Sequence, residues 1–256
     1  MNSNQNAFNM KALSPVVVVA LAISILGCSN ANKNTRVNAE TSTANHVNTY
    51  ETSFPLTENP MSEGGHWIEG KAVGIDWGDI FTTPGYAAGK AGPKHFADST
   101  AILKGTWGPT QTAEAVVSSK TPANWPEVSL RLRSSLSSHR CTGYEISDSL
   151  RKGDSAYLII VRWNGPLADF TYLAQLGGKK YSVTTGDVMK ATIVGNVITA
   201  YKNGVKLAQV TDSTYSTGNP GMGFNEGVNG DYGISHFMAT DAPITSAPTT
   251  HRGKSE

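Results

Sequence analysis

Residues 197–210 read VITAYKNGVKLAQV, and this stretch decides the class of fold that the sequence predicts. Two β-prone segments flank the dipeptide Asn203-Gly204. An Asn-Gly pair in this setting is the strongest short-range signal for a β-hairpin, because a type I′ turn needs a positive φ at both central residues. The stretch therefore predicts two antiparallel strands joined by a tight turn.

The segments that precede this hairpin have the same β character. Residues 127–133 alternate strictly, with Val, Leu and Leu on one face and Ser, Arg and Arg on the other, which predicts a half-buried strand. Residues 112–118 alternate in the same way, and the apolar run 156–163 is typical of a strand covered on both faces. Helical periodicity is nearly absent after the first 27 residues. The pattern favours an all-β, antiparallel two-sheet sandwich.

The N-terminus has the pattern of a secretory signal peptide, residues 1–27. Lys11 precedes the uncharged run ALSPVVVVALAISILG, residues 12–27, and Cys28 follows it. The run is shorter than the roughly 20 apolar residues of a membrane-spanning helix. Residues 24–28, SILGC, resemble the lipobox of bacterial lipoproteins, which implies that Cys28 carries acyl chains such as palmitate. The protein would then be held in the cell envelope, at the outer membrane where one exists. Ordinary secretion and an uncleaved membrane anchor are the alternatives.

Two polar segments flank the region with strand signals. Residues 28–51 are dominated by Asn, Thr, Ser and Ala and have no hydrophobic period, which predicts a flexible tether. Residues 242–256 have the same character and predict a disordered tail. The region between them, 52–241, is long enough for one β domain with a substantial core. If Cys28 carries lipid, Cys141 has no disulfide partner, and a bridge between the two is the alternative.

The composition excludes some classes of partner. The formal net charge is +1, 16% of the residues are charged, and no cluster of Lys and Arg stands out in the sequence. These features argue against nucleic acid as a partner. With 26 glycines the chain has the profile of a turn-rich extracytoplasmic β protein. We expect it to meet the membrane through its lipid anchor, and a polysaccharide or an envelope protein through its folded domain.

Three stretches resemble the concanavalin A-like lectin/glucanase superfamily, whose members include laminin-G-like jelly rolls. They are FPLTENPMSEGGHW at 54–67, VSLRLRS and GYEI within 128–146, and the hairpin with the following GNPGMGF and ISHF segments within 198–237. Together they span the predicted domain. The resemblance implies a jelly-roll β-sandwich in which Trp67 and Tyr144 pack in the core. It leaves the function open, because the fold hosts lectins, glycosidases, lyases and adhesion modules.

The residues give weak support to an enzyme of this superfamily. A glycosidase would resemble its relatives by placing carboxylates on one strand as Glu-x-Asp-x-x-Glu, and the sequence has no such spacing. A polysaccharide lyase would need cationic groups on the concave sheet, for which Arg131 and Arg133, with Glu145 nearby, are the candidates. The Gln-Ile-His signature of such lyases is missing. The alternative is that Arg131 and Glu145 form a cross-strand ion pair on a solvated face.

Aromatic and acidic side chains supply the candidates for ligand and metal binding. An indole at a strand end or in a loop can stack on a sugar ring, or it can pack at the edge of the core. The four tryptophans beside Gly, Pro or Asn are Trp77, Trp107, Trp125 and Trp163. Relatives often bind Ca²⁺, and Asp76, Asp79 and Asp98 are conceivable ligands for a structural ion, although they form no compact acidic loop. The scattered histidines argue against zinc, and no other cofactor is expected.

These observations favour a surface-anchored module that binds a glycan or an envelope protein. A polysaccharide-cleaving enzyme, a lyase rather than a hydrolase, is the second hypothesis, and a purely structural envelope lipoprotein is the third. The concave face of the predicted sandwich discriminates between the first two. A deep groove with converging Arg, His and Tyr would favour an enzyme, and an apolar or filled face would not.

Overall fold

The computed structural model describes residues 47–69, 71–90, 96–119, 127–225 and 230–244. Its regular structure there is β, apart from 3₁₀ turns at Lys71–Val73, Gly153–Ser155 and Lys179–Tyr181. The strands are β1 (Thr49–Thr52), β2 (Trp67–Glu69), β3 (Asp79–Thr83), β4 (Tyr86–Lys90), β5 (Ser99–Leu103), β6 (Gln111–Ser119), β7 (Glu127–Ser137), β8 (Arg140–Ser149), β9 (Tyr157–Gly165), β10 (Phe170–Gly177), β11 (Val188–Val194), β12 (Val197–Lys202), β13 (Val205–Thr211), β14 (Asn219–Phe224) and β15 (Tyr232–Thr240). Within the described residues no helix is long and apolar enough to span a bilayer.

The strands form two antiparallel sheets. The eight-stranded sheet has the order β13-β12-β11-β6-β15-β4-β3, and β1 also pairs with β15. The seven-stranded sheet has the order β10-β9-β8-β7-β14-β5-β2. The prediction of an all-β, two-sheet sandwich is therefore confirmed.

The hairpin predicted from Asn203-Gly204 connects β12 and β13. Asn203 has a φ of 50° and Gly204 a φ of 78°, so both central residues occupy the left-handed region that a type I′ turn requires. At the far end of the hairpin, the backbone N–H of Asp212 donates to the Asn196 carbonyl at 2.9 Å. The hairpin forms the edge of the eight-stranded sheet.

The main core lies between the sheets, and the alternation of the sequence explains which side chains enter it. The apolar set of 112–118, namely Ala113, Ala115 and Val117, faces this core from β6. Leu130 and Leu132 face it from β7. Burial of one such leucine stabilises the fold by about 1.5–3 kcal/mol. Trp67 and Tyr144, which the resemblance assigns to packing, are also buried in this core.

The folded domain begins slightly earlier than the sequence predicts. Thr49 to Glu51 fall within the predicted tether, but they belong to β1, where Thr49 pairs with Thr240 of β15. The side chains of Tyr50 and Thr52 both donate hydrogen bonds to the Glu63 carboxylate. A four-residue strand that is held by such polar contacts has no hydrophobic period by which it could be recognised. The predicted signal peptide, Cys28 and most of the predicted tether and tail lie outside the described residues.

Candidate functional site

A cleft that is open to solvent lies on the outer face of the seven-stranded sheet. One wall is aromatic, the floor is aliphatic, and the opposite side is polar. The lining residues are Phe96, Asp98, Glu127, Glu145, Ser147, Ile159, Val161, Trp163, Phe170, Tyr172 and Asn225. The cleft is therefore built mainly by β8, β9 and β10, with β7 and two loops at its rim.

The aromatic wall follows from the register of β9 and β10. Trp163 pairs with Phe170 and Val161 pairs with Tyr172, so these alternate residues share one face of the sheet. The ring centroid of Phe170 lies 5.3 Å from that of Phe96, 5.1 Å from that of Trp163 and 5.2 Å from that of Tyr172. Tyr172 is 47% exposed. The wall is thus a packed group of rings that presents its outermost member to solvent.

The polar side of the cleft contains carboxylate, hydroxyl and amide groups. Glu127, at the start of β7, accepts a short hydrogen bond from the Tyr157 hydroxyl. Burial and the neighbouring Glu127 carboxylate raise the pKa of Tyr157, so this hydroxyl stays protonated and acts as a donor. The Ser147 hydroxyl lies 2.7 Å from that of Ser129 on β7. Asn225 completes this side.

Beneath the cleft, Arg131 of β7 and Glu145 of β8 form an ion pair across the strands. Arg131 Nη2 lies 3.3 Å from Glu145 Oε2, and both side chains are buried. The Trp163 indole N–H donates to the same carboxylate oxygen at 2.5 Å, and Arg131 Nη2 donates to Thr100 Oγ1 at 2.8 Å. Burial lowers the pKa of Arg131 and the Glu145 carboxylate raises it, with a net upward shift. The guanidinium therefore remains charged.

The predicted cross-strand pair is confirmed, but the prediction that it lies on a solvated face is wrong. A second hydrophobic cluster covers part of this face, where Ile75 and Trp77 of the loop before β3 pack with Cys141, Val161 and Trp163. Alternation in the sequence identifies the polar face of a strand, but it cannot reveal that a distant loop lies over that face.

A neighbouring glycine helps the face to accommodate a buried guanidinium. A Cβ at Gly223 of β14 would lie 3.3 Å from Arg131 Nε, so a larger residue there would crowd the arginine. The guanidinium carbon also lies 5.9 Å from the centroid of the Trp163 ring. At this distance a cation–π interaction contributes to the stability of the buried charge.

Arg133 does not share this site, although alternation places it on the same face as Arg131. The pairing of β7 with β8 shifts register between Leu132 and Ser135, and Arg133 has a φ of 46°. A β-bulge of this kind redirects the side chain. Arg133 Nη1 donates to the carbonyl of Tyr215 at 2.9 Å, and Nη2 donates to that of Gly195 at 2.8 Å. Arg133 therefore links the loop that contains Tyr215 to the turn that contains Gly195.

The three described tryptophans among the candidates are buried. Trp77, Trp107 and Trp163 are 1%, 9% and 2% exposed. Trp77 packs edge-on against Trp163 with centroids 5.2 Å apart, and the Trp107 indole donates to the Lys104 carbonyl at 3.0 Å. Trp77 and Trp107 lie in loops as predicted, whereas Trp163 lies within β9 and lines the cleft. Trp125 lies outside the described residues.

No cluster of acidic side chains surrounds the candidates for Ca²⁺ in the described part of the chain. Within the described ranges there is no group of three or more His, Cys, Asp or Glu side chains that could hold an ion. Asp76 instead lies 3.2 Å from His139 Nδ1, Asp79 opens β3, and Asp98 lines the cleft. A structural Ca²⁺ stays a prediction that this arrangement does not support.

The sequence interpretation missed the aromatic residues that line the cleft beside Trp163. Phe170 and Tyr172 are two residues apart, which is the spacing that puts both side chains on one face of a strand. That signal was present in the sequence. Phe96 carries no such signal, because it reaches the cleft from a loop, where it has a φ of 63°.

No family model and no curated protein sequence matches the chain. Several solved structures are similar to it. A carbohydrate binding module, CBM66, from Bacillus subtilis has a TM-score of 0.51 and 15% identity over 67% of this chain and 94% of that chain. The fold of the chain is a jelly-roll β-sandwich.

Two further solved structures are similar to the chain. The metal-free carbohydrate recognition domain of Emp46p has a TM-score of 0.51 and 12% identity over 75% of this chain and 96% of that chain. A Bacillus subtilis protein of unknown function with a galectin-like fold has a TM-score of 0.51 and 12% identity over 74% and 94% of the two chains. At these identities the likeness extends to the fold alone, and it is consistent with the concanavalin A-like architecture.

Proposed function

We propose that this chain is a glycan-binding module and that the cleft on the seven-stranded sheet is its binding site. The observation that carries the proposal is the half-exposed ring of Tyr172, held against Phe170 at the mouth of a cleft whose other side is polar. A pyranose has an apolar face of C–H groups and a rim of hydroxyls. It needs an aromatic surface beside hydrogen-bonding groups, and this cleft supplies both.

Each part of the cleft has a distinct task in this proposal. Tyr172 stacks on the sugar, and Phe170 and Phe96 hold the ring of Tyr172 in place. Glu127 and Asn225 bind hydroxyl groups on the opposite side. Because the aromatic residues already pack on one another, little conformational entropy is lost when a ligand binds. The names of two structural neighbours, a carbohydrate binding module and a carbohydrate recognition domain, support a ligand of this class.

We propose further that the module is anchored in the cell envelope through lipid on Cys28. The support is the apolar run 12–27 followed by SILGC at 24–28. More than one acyl chain is needed for stable attachment. An unstructured segment spans roughly 5–6 Å times the square root of its residue number, so the polar residues between Cys28 and β1 would let the module reach a polymer near the membrane. Cys28→Ala is expected to move the protein out of the membrane fraction, and retention of the variant there would contradict anchoring.

The alternative of a polysaccharide lyase gains no support from the candidate residues. Such an enzyme needs a cationic group that can reach the carboxylate of a uronate. Arg131 is buried and paired with Glu145, and the described donors of Arg133 bond to backbone carbonyls. Arg131 is 1% exposed and is not among the residues that line the cleft, which argues against a role in cleavage.

A glycan array probed with the full chain, followed by calorimetric titration of the ligands found, tests the proposal. We expect saturable binding to at least one glycan and no change in its chain length on incubation. Incubation with acidic polysaccharides, followed by the absorbance of new unsaturated uronates, tests the alternative. Absence of glycan binding at high protein concentration would contradict the proposed function. Cleavage that is abolished by Arg131→Ala would favour the lyase.

A further inference from the structure

A groove that is open to solvent lies at one edge of the sandwich, on a different surface from the cleft. The hairpin of β12 and β13 forms one side of it, and the 3₁₀ turn Lys179–Tyr181 forms the other. Its lining residues are Lys180, Lys202, Asn203, Val205, Lys206 and Leu207. Three of the six are lysines and none is acidic.

The fold creates this cationic groove from separate parts of the sequence. Residues 179–207 contain five lysines and one aspartate, in a chain whose formal net charge is only +1. The return of the chain through β11 and β12 brings Lys202 and Lys206 beside Lys180. The sequence prediction that no lysine cluster exists is therefore wrong at this place, because it considered only residues that are adjacent in the chain.

The one carboxylate of this segment is hydrogen-bonded within the turns, and one of its partners, Asn203, lines the groove. Asp187 Oδ2 accepts from the backbone N–H of Thr184 at 2.9 Å, and Oδ1 accepts from the Asn203 amide at 2.7 Å. These contacts hold the carboxylate in the turns beside the groove. Asp187 is not among the lining residues, so three ammonium groups and no carboxylate line the groove.

Two of the three ammonium groups are held in position. Lys202 Nζ donates to the carbonyls of Lys180 and Ser182, each at 2.8 Å, which leaves one of its three N–H groups for another acceptor. Lys180 Nζ lies 4.7 Å from the ring centroid of Tyr181. A cation that is already ordered loses less side-chain entropy on binding than a free surface lysine does.

The apolar part of the groove restricts the chemistry of the ligand. Val205 is 64% exposed and Leu207 is half-buried, so an aliphatic surface lies beside the ammonium groups. An isolated inorganic anion would interact only with the ammonium groups and would leave the aliphatic surface uncovered. A sugar ring that carries an anionic substituent would use both the charges and the aliphatic surface. A concave groove also fits a linear chain better than the flat surface of a membrane.

From this geometry we infer that the groove binds an anionic polysaccharide, with its sulfate, phosphate or carboxylate groups on the lysines and its rings against Val205. The inference concerns a second site and does not depend on the cleft. The protein would then contact two polymer segments, one in the cleft and one at the edge of the sandwich. Two linked contacts raise the overall avidity, so even weak binding in the groove would help to retain the protein on a polymer.

Dextran sulfate is a suitable probe, with neutral dextran of equal length as its control. We expect the full chain to bind dextran sulfate in calorimetric titration and not to bind neutral dextran. The double variant K180Q/K206Q should weaken binding by about five- to thirtyfold, since it removes two exposed charges. The control is K104Q, which removes an exposed lysine outside the groove. Lys180 and Lys206 are exposed, so their substitution should leave the melting temperature unchanged.

Three results would overturn the inference. The first is a weakening per removed charge that is as large in K104Q as in the double variant, which would indicate non-specific attraction to the whole protein. The second is no binding of dextran sulfate at low ionic strength. The third is binding to vesicles of anionic phospholipid that exceeds binding to dextran sulfate of equal charge and is lost in K180Q/K206Q. That last result would assign the groove to a lipid surface.

Discussion

Arg131 and Glu145 lie directly opposite each other on β7 and β8, with 3.3 Å between guanidinium and carboxylate and both side chains buried. Glu145 lines the cleft, and the Trp163 indole donates to the same carboxylate. An ion pair in water contributes at most about 1 kcal/mol, but a buried charge that loses its partner is costly. The pair therefore supports the wall of the cleft, and we do not assign it a part in chemistry.

Glu145→Ala is expected to lower the free energy of unfolding by about 3–5 kcal/mol, because it leaves the buried Arg131 without its carboxylate partner. Urea denaturation followed by circular dichroism measures the effect. Glu51→Gln is the matched control, since Glu51 is 65% exposed and lies 3.4 Å from His236 on the surface. Equal stabilities of the two variants would contradict the buried ion pair.

The stability of the protein should fall as the pH rises, through Glu69. Burial raises the pKa of this β2 carboxyl from 4.5 to about 9, and the nearby Asp79 and Glu58 carboxylates add to the shift. The folded state therefore binds a proton that the unfolded state releases above its ordinary pKa. This contribution to stability is complete below about pH 4.5 and is lost as the pH rises through 9.

Urea denaturation at pH 5 and pH 8 tests this effect in the wild type and in Glu69→Gln. The glutamine is neutral and nearly isosteric, so its variant should lose less stability between the two pH values than the wild type does. The comparison within each protein removes any constant cost of the substitution. An identical pH dependence in both proteins would show that Glu69 does not hold the proton.

Gly204→Ala should destabilise the hairpin, because Gly204 has a φ of 78° and a residue with a Cβ is strained in that conformation. The expected loss is about 1–2 kcal/mol in the free energy of unfolding. Gly177→Ala is the control, since Gly177 has no such φ and an added Cβ there would meet its nearest atom only at 4.0 Å. A smaller loss for Gly204→Ala than for Gly177→Ala would argue against the type I′ turn.

The sequence pattern correctly predicted those parts of the fold that depend only on residues close together in the chain. The Asn203-Gly204 turn and the inward face of β6 follow from backbone geometry and from alternation within one strand. The environment of Arg131 could not be predicted in this way, because it depends on the loop of Trp77, which is more than 50 residues away in the sequence. The direction of Arg133 depends on a one-residue register shift that alternation assumes to be absent.

The candidate site was predictable only in part. The resemblance to concanavalin A-like domains predicted a site on the sheet that contains 127–133, and the cleft lies on that sheet. The tryptophans suggested for ligand contact are buried where the structure describes them, and the exposed ring belongs to Tyr172. Residue type favoured tryptophan, but the choice between packing and binding depends on exposure, which neighbouring elements determine.

The affinity of Tyr172→Ala for a glycan that binds the wild type tests the central claim most directly. Tyr201→Ala is the matched control, because Tyr201 is a partly exposed tyrosine in β12 of the other sheet. Loss of a stacking ring should weaken binding by about 1–3 kcal/mol, or roughly five- to 150-fold, while Tyr201→Ala leaves the affinity unchanged. Unchanged affinity in Tyr172→Ala, with the fold intact by circular dichroism, would contradict the assignment of the cleft as the glycan site.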